Sequence, residues 1–163
     1  AMTPTPLTAA VIVVSDRVAA GERADKSGPA IREILDAAGL DVGETVVVAE
    51  GADAVGEALD AELARGTRVI FTTGGTGITA HNLTPEVTAD RLAVELPGVA
   101  TQILLRGLES SPKSGLSRGR VGLTARTPGA SLIVNAPGSS GGARAAAEGV
   151  TPLIPSIFRQ LGE

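Results

Sequence analysis

The sequence predicts a doubly wound α/β fold with a mostly parallel sheet and an antiparallel strand at one edge. Three observations point there. Short apolar, β-branched runs at residues 9–14, 45–48 and 68–73 read as buried parallel strands. Helical patterns follow the first two through short loops, the signature of right-handed crossovers. Further on, strands at 121–125 and 131–135 flank Arg126-Thr127-Pro128-Gly129-Ala130, which reads as a hairpin and turns one edge strand antiparallel.

Residues 1–8 hold two prolines and read as a flexible leader, and residues 9–163 as one domain. The first strand ends at Ser15-Asp16-Arg17. Residues 18–26 are polar and contain Gly21, a loop long enough to move or to cover a site. Ser27-Gly28-Pro29 opens a helix in which Ile31, Ile34, Leu35 and Ala38 share one face, and Gly39 ends it. After the second strand, Glu50 to Asp53 is a turn with Asp53 as N-cap, and a helix runs over 54–65 to Gly66.

The third strand stops at Gly74-Gly75-Thr76-Gly77. Glycines there admit positive φ and leave no Cβ between a ligand and the backbone amides. The Thr84 hydroxyl is expected to cap a helix that Pro85 opens and that reaches Val94. Strand end, glycine loop and helix start together make an anion cradle of the kind found at the carboxyl edge of α/β sheets. A tight turn alone would also use such glycines. The hydroxyls of Thr72, Thr73 and Thr76 favour a ligand site, although neither the dinucleotide nor the P-loop pattern is present. Leu96-Pro97-Gly98 separates that helix from another over 99–107; residues 110–120 form an exposed loop. Asn135-Ala136-Pro137-Gly138 starts a second strand-to-helix junction, leading into a helix over 143–150 and a last one ending near Leu161.

Composition excludes several functions. No cysteine means no disulfide, thiolate catalysis or cysteine-bound zinc, and the single His81 makes a Ser-His-Asp triad improbable; it reads as a solvent-facing loop residue. A net charge of -4, with two Phe, no Tyr and no Trp, argues against nucleic-acid binding by charge or by base stacking. No segment has the length of a membrane span, so the cytoplasm is the expected compartment. Between Arg106 and Arg126 lie Lys113, Arg118 and Arg120 against one acid, Glu109; this cluster reads equally as a phosphate contact or as a solvated loop.

Seven short motifs stand in one order: Ser15-Asp16-Arg17, Lys26-Ser27-Gly28-Pro29, Thr72-Thr73-Gly74-Gly75-Thr76-Gly77, Leu83-Thr84-Pro85, Leu96-Pro97-Gly98, Leu116-Ser117-Arg118 and Asn135-Ala136-Pro137-Gly138. With these the chain resembles the MoaB/Mog family of molybdenum cofactor biosynthesis proteins, over nearly all of 11–161. The resemblance implies a three-layer α/β/α sandwich that assembles as a homotrimer or a hexamer of two trimers. It implies a reaction in which Mg²⁺ and ATP serve to adenylylate molybdopterin. It also implies a binding pocket formed by Ser15, Asp16, Thr73, Gly74, Gly75, Thr76, Gly77, Ser117, Pro137, Gly138 and Ser139.

The chain departs from the family pattern at charged positions. Glu50 and Asn82 stand at the catalytic positions where active members carry Asp, Thr101 replaces a Glu, and Gly141 replaces a Lys. A Mg²⁺ ion at Asn82 would meet a neutral carbonyl where a hard cation wants a carboxylate. Two functions follow from the resemblance: molybdopterin adenylylation, or a catalytically impaired member that contacts a protein partner as an interaction or regulatory module.

Overall fold

The computed structural model describes residues 5–163; the first half of the expected leader lies outside them. Strand β1 (Thr8–Val14) begins one residue earlier than expected. Leu7 packs on the core, and its carbonyl accepts a hydrogen bond from the Asp41 amide at 2.9 Å. Residues 7 and 8 therefore belong to the folded body.

The centre of the sheet is β1, β4 (Val69–Thr73) and β7 (Leu132–Ala136), all parallel, with Val11 opposite Phe71 and Phe71 opposite Val134. Their side chains alternate between two cores, as the period of two demands. Val11, Val13, Phe71, Val134 and Ala136 face one layer, formed by α2 (Ser27–Ala37), α5 (Pro97–Leu108), α6 (Ser140–Val150) and α7 (Ile154–Gln160). Ile12, Val14, Ile70 and Ile133 face the other, with Val55 and Leu59 of α3 (Ala52–Ala64) and Val87 of α4 (Thr84–Ala89). Both faces are covered, so the expected three-layer sandwich is observed and, from Ala9 on, the middle strands are buried throughout, apolar except for Thr72, Thr73 and Asn135 at their carboxyl ends.

The rest of the sheet differs in detail from the sequence expectation. Beyond β7, strand β6 (Val121–Leu123) is antiparallel as the hairpin requires, but β5 (Val94–Glu95) lies outside it and forms that edge. The sequence assigned 90–94 to a helix, yet α4 ends at Ala89. The Ala93 and Leu96 amides donate to the Leu123 and Val121 carbonyls, so pairing with a distant strand outweighs local helix preference. At the other edge β1 is flanked by β2 (Asp41–Val42) beside its start and β3 (Val46–Val48) beside its end. A one-turn helix, α1 (Asp16–Ala19), occupies the start of the expected loop, because Ser15 Oγ caps the Val18 amide. The N-cap of α3 is Gly51, at φ +116°; Asp53 sits inside the first turn, where its charge complements the helix end. Among the described residues no helix is long and apolar enough to cross a membrane.

One buried polar knot ties β4 and β7 to the elements around them. The Asn135 side-chain amide donates to Thr72 Oγ1 and Thr88 Oγ1, both at 2.9 Å, and its oxygen accepts the Arg120 amide at 3.0 Å. Replacing Asn135→Ala leaves the Arg120 amide and both hydroxyls short of a partner. Urea unfolding is expected to show a loss of roughly 2 to 4 kcal/mol; a loss under about 0.5 kcal/mol would mean that water replaces these bonds without cost.

Candidate functional site

Parallel strands deliver their carboxyl ends to the same side, and here β1, β3, β4 and β7 open into one cavity of about 470 Å³. Asp16, Glu50, Gly74 and Gly138 mark where the four strands contribute. Gly74 and Gly75 have φ of +103° and +70°. A Cβ on Gly74 would overlap the Val14 carbonyl oxygen, and one on Gly75 would overlap Thr84 Oγ1. Glycine is thus required twice at each position, by conformation and by space. Gly138 abuts this turn: its Cβ would lie 3.2 Å from Gly74 Cα.

The hydroxyls around the glycines hold the site together. Thr73 Oγ1 donates to the Pro137 carbonyl and Ser27 Oγ to the Gly138 carbonyl, each at 2.7 Å. These bonds join the glycine turn, the Pro-Gly junction and the first turn of α2. Thr84 is not the N-cap expected from the sequence, which falls to Leu83; its amide donates to the Gly75 carbonyl and its hydroxyl is buried without a partner.

The residues expected to bind a ligand fall into groups. Ser15, Asp16, Thr73, Gly74, Gly75 and Gly138 line the cavity, together with Glu50 and Asn82. Ser117 and Pro137 line a separate hollow of about 40 Å³ that also touches Asn135. Thr76 accepts from Ser117 Oγ at 3.0 Å, and Gly77 from Arg118 Nε at 2.8 Å, so both lie beneath the 117–118 segment. Ser139 caps α6 by accepting from the Gly142 amide.

Arg118 is a clamp that sequence reasoning missed. It donates to the Gly77 and Asn82 carbonyls and, through both terminal nitrogens, to Glu86 at 2.7 and 3.0 Å. The hydrogen bond from Arg118 holds the Glu86 carboxyl below the usual carboxylate range. Arg106 pairs with Glu148 and Arg120 with Glu95, so much of the cluster that read equally as a phosphate contact or a solvated loop is spent on internal pairs. The cations that line the cavity are Arg17, Arg23 and Lys26, on and after α1. Their spacing along a polar segment that leaves a strand end was the available signal.

The acids of the same cavity are Asp16, Asp25 and Glu50. Glu50 Oε1 accepts from Asn82 Nδ2 at 2.5 Å, and Asp16 Oδ1 accepts from the Glu50 amide at 3.0 Å. Asn82 Oδ1 is taken by the Thr79 amide and hydroxyl at 3.0 and 2.6 Å. With both ends of its amide engaged, Asn82 is a poor cation ligand; a divalent ion would find its oxygens on Asp16 and Glu50. His81, expected to face solvent, also lines the cavity, with Nε2 at 3.5 Å from Glu50 Oε2. The cavity therefore brings together backbone amides, three cations and the carboxylates of Asp16, Asp25 and Glu50, a layout for an anionic ligand with a metal counter-ion.

The family model described as "Probable molybdopterin binding domain" matches residues 10–156. A molybdenum cofactor biosynthesis bifunctional protein of Synechococcus elongatus is 33% identical over 153 residues, which are 94% of this chain and 46% of that protein. The chain thus spans about half the length of that relative. A molybdopterin adenylyltransferase of Helicobacter pylori is 33% identical over 148 residues, covering 89% of this chain and 82% of the enzyme. A solved structure assigned to molybdenum cofactor biosynthesis in Corynebacterium diphtheriae has a TM-score of 0.89 at 43% identity, covering 96% of this chain and 99% of that one. With a family match over most of its length and the glycine turn seated against the Pro-Gly junction, the chain belongs to the MoaB/Mog family of molybdenum cofactor biosynthesis proteins.

Proposed function

We propose that this chain binds molybdopterin in the cavity beside Gly74 and Gly138 and adenylylates it with ATP. The observation that carries this is the cavity itself, lined by a side-chain-free turn, by the cations Arg17, Arg23 and Lys26 and by the acids Asp16, Asp25 and Glu50. A relative named as a molybdopterin adenylyltransferase supports the choice of substrate. In that reaction a phosphate oxygen of molybdopterin attacks the α-phosphorus of ATP. One P–O bond forms, the α–β anhydride bond breaks, and pyrophosphate leaves. A Mg²⁺ ion held by Asp16 and Glu50 would supply positive charge that favours departure of pyrophosphate. The three cations would hold the phosphates of the two substrates against their mutual repulsion, and the Gly74 and Gly75 backbone would let them approach. We further propose that the protomer acts in the cytoplasm as a homotrimer or hexamer, the exposed Leu104, Leu105, Leu108 and Leu116 supplying apolar contact.

A second reading is favoured by one observation, the closed hydrogen bond from Asn82 to Glu50. An Asp there would face Glu50 and draw a cation between them; the amide instead satisfies Glu50 without one. Losing one charge-assisted contact costs about 10² to 10³ in rate. On this reading the chain keeps the ligand and loses turnover, acting through a protein partner.

Calorimetric titration with molybdopterin, and with ATP in the presence and absence of Mg²⁺, tests both. Molybdopterin is expected to bind the wild type, and pyrophosphate release to increase roughly 10² to 10³-fold in Asn82→Asp. No heat with molybdopterin would remove the first reading. Binding without pyrophosphate release by the wild type, with release restored in Asn82→Asp, would support the second.

The glycine turn gives a sharper mutational test. Gly74→Ala must push the Val14 carbonyl away and hold a residue at positive φ, so it is expected to abolish molybdopterin binding and to lower stability by about 2 kcal/mol or more. Wild-type affinity in that variant would show that the ligand sits elsewhere.

A further inference from the structure

We propose that Arg118 is a positioning residue of this cavity: through the Gly77 and Asn82 carbonyls it sets the course of the loop that carries Asn82 to Glu50. Between β4 and α4 the chain over 74–83 belongs to no helix or strand, and residues 78–81 are exposed. Such a segment has no ladder of its own to fix where its side chains point. Asn82 nevertheless ends with its side-chain amide on Glu50 Oε1. Arg118 reaches the loop from the segment after the short 3₁₀ turn Pro112–Leu116. Its Nε lies 2.8 Å from the Gly77 carbonyl, and one terminal nitrogen lies 2.8 Å from the Asn82 carbonyl. Both terminal nitrogens also bind Glu86, in the first turn of α4. The three acceptors bracket the segment: its start, its end and the helix that follows.

An exposed arginine–glutamate pair is worth little as a plain ion pair. Here the pair has a second effect. A guanidinium holds its donors in one rigid plane, so engaging Glu86 through both terminal nitrogens fixes the direction of the remaining N–H groups. Glu86 aims Arg118, and Arg118 holds a carbonyl at each end of the loop. A lysine would supply the charge without the fork. The glycine turn is held by other means: Thr73 bonds to the Pro137 carbonyl and Ser27 to the Gly138 carbonyl, and the Arg118 side chain touches neither. Loss of the guanidinium is therefore felt at Asn82 and Glu50 and spares Gly74 and Gly75. In adenylyl transfer a displacement of about 1 Å slows the reaction by about 10², with little change in affinity for molybdopterin. That consequence rests on the proposed function; the placement of Asn82 does not.

The test follows the side-chain amide of Asn82 by nuclear magnetic resonance in the full chain without ligand, its signal assigned by its loss in Asn82→Asp. The Arg118 backbone amide donates to the Thr76 carbonyl at 2.9 Å, a bond that survives substitution, so the variants probe the side chain alone. Arg118→Ala is expected to move the Asn82 signal to the position and fast water exchange of a free asparagine amide, while the backbone signals of Gly74 and Gly75 stay in place. Arg118→Lys should behave as Arg118→Ala does, and Glu86→Gln should shift the signal in the same direction. Pyrophosphate release from molybdopterin and ATP is measured on the same proteins, and kcat of Arg118→Ala is expected to fall about 10²-fold with KM for molybdopterin nearly unchanged. An Asn82 signal unmoved in Arg118→Ala or in Glu86→Gln, displacement of the Gly74 and Gly75 signals along with it, full recovery in Arg118→Lys, or a rise in KM in place of the fall in kcat would each overturn the role. A wild type that releases no pyrophosphate counts against adenylylation, and the Asn82 signal then decides the placement by itself.

Discussion

The Val14 carbonyl leaves no room for a side chain at Gly74, and the whole cavity depends on that contact. Because β1 and β4 are adjacent and in register, with Val13 opposite Thr73, the end of one strand meets the first residue after the other. A residue with a Cβ would have to lift the turn from the sheet. Lifting it would separate Gly74 from Gly138 and break the bond from Thr73 to the Pro137 carbonyl. The cradle is thus a consequence of strand register, enforced by sterics, and the hydroxyls of Thr73 and Ser27 only lock what the register has already brought together.

Charge decides what such a cradle can do. The glycine turn and the cation wall suit an anion whatever stands at position 82. Position 82 governs how Glu50 is satisfied. An amide there gives Glu50 a hydrogen bond without adding charge, so the acids that line the cavity are Asp16, Asp25 and Glu50. The substitution leaves the fold untouched because Asn82 is anchored by Thr79 on its other end, and because Gly77 makes room: a Cβ there would lie 2.8 Å from Asn82 Oδ1. Binding and turnover can therefore separate at a single atom.

Much of this was legible in the sequence where the signal is local. Residues 9–14 and 68–73 announce buried strands because both faces are covered, and Gly74-Gly75 announces a turn because only glycine tolerates it. The edge strand β5 was not legible, since among the described residues it pairs with β6 alone, some thirty residues away in sequence, and nothing in Val94-Glu95 distinguishes it from a helix end. Arg118 could not be told from a solvated arginine, because its acceptors at Gly77, Asn82 and Glu86 become neighbours only after folding. His81 was dismissed for lack of partners. Those partners, Asp16 and Glu50, arrive from strands that sequence spacing does not relate to it.

Scarcity of aromatic residues shapes the site as well. With two Phe in the chain, the layer over Phe71 is filled by Ala143, Ala146, Ala147 and Val150 of α6, all fully buried. Small side chains let α6 come close to α2, which packs beside it. The first turns of both helices then point into one cavity, where Ser27 and Ser140 line the wall and Ser27 bonds to the Gly138 carbonyl. Two helix N-termini and three cations bring positive charge to the cavity, and Asp16, Asp25 and Glu50 bring negative charge to it. A neutral ligand would gain nothing from this polarity. A ligand that carries phosphate and shares a metal ion uses both kinds of charge at once, and the alanine face of α6 is what lets the first turns of α2 and α6 come together there.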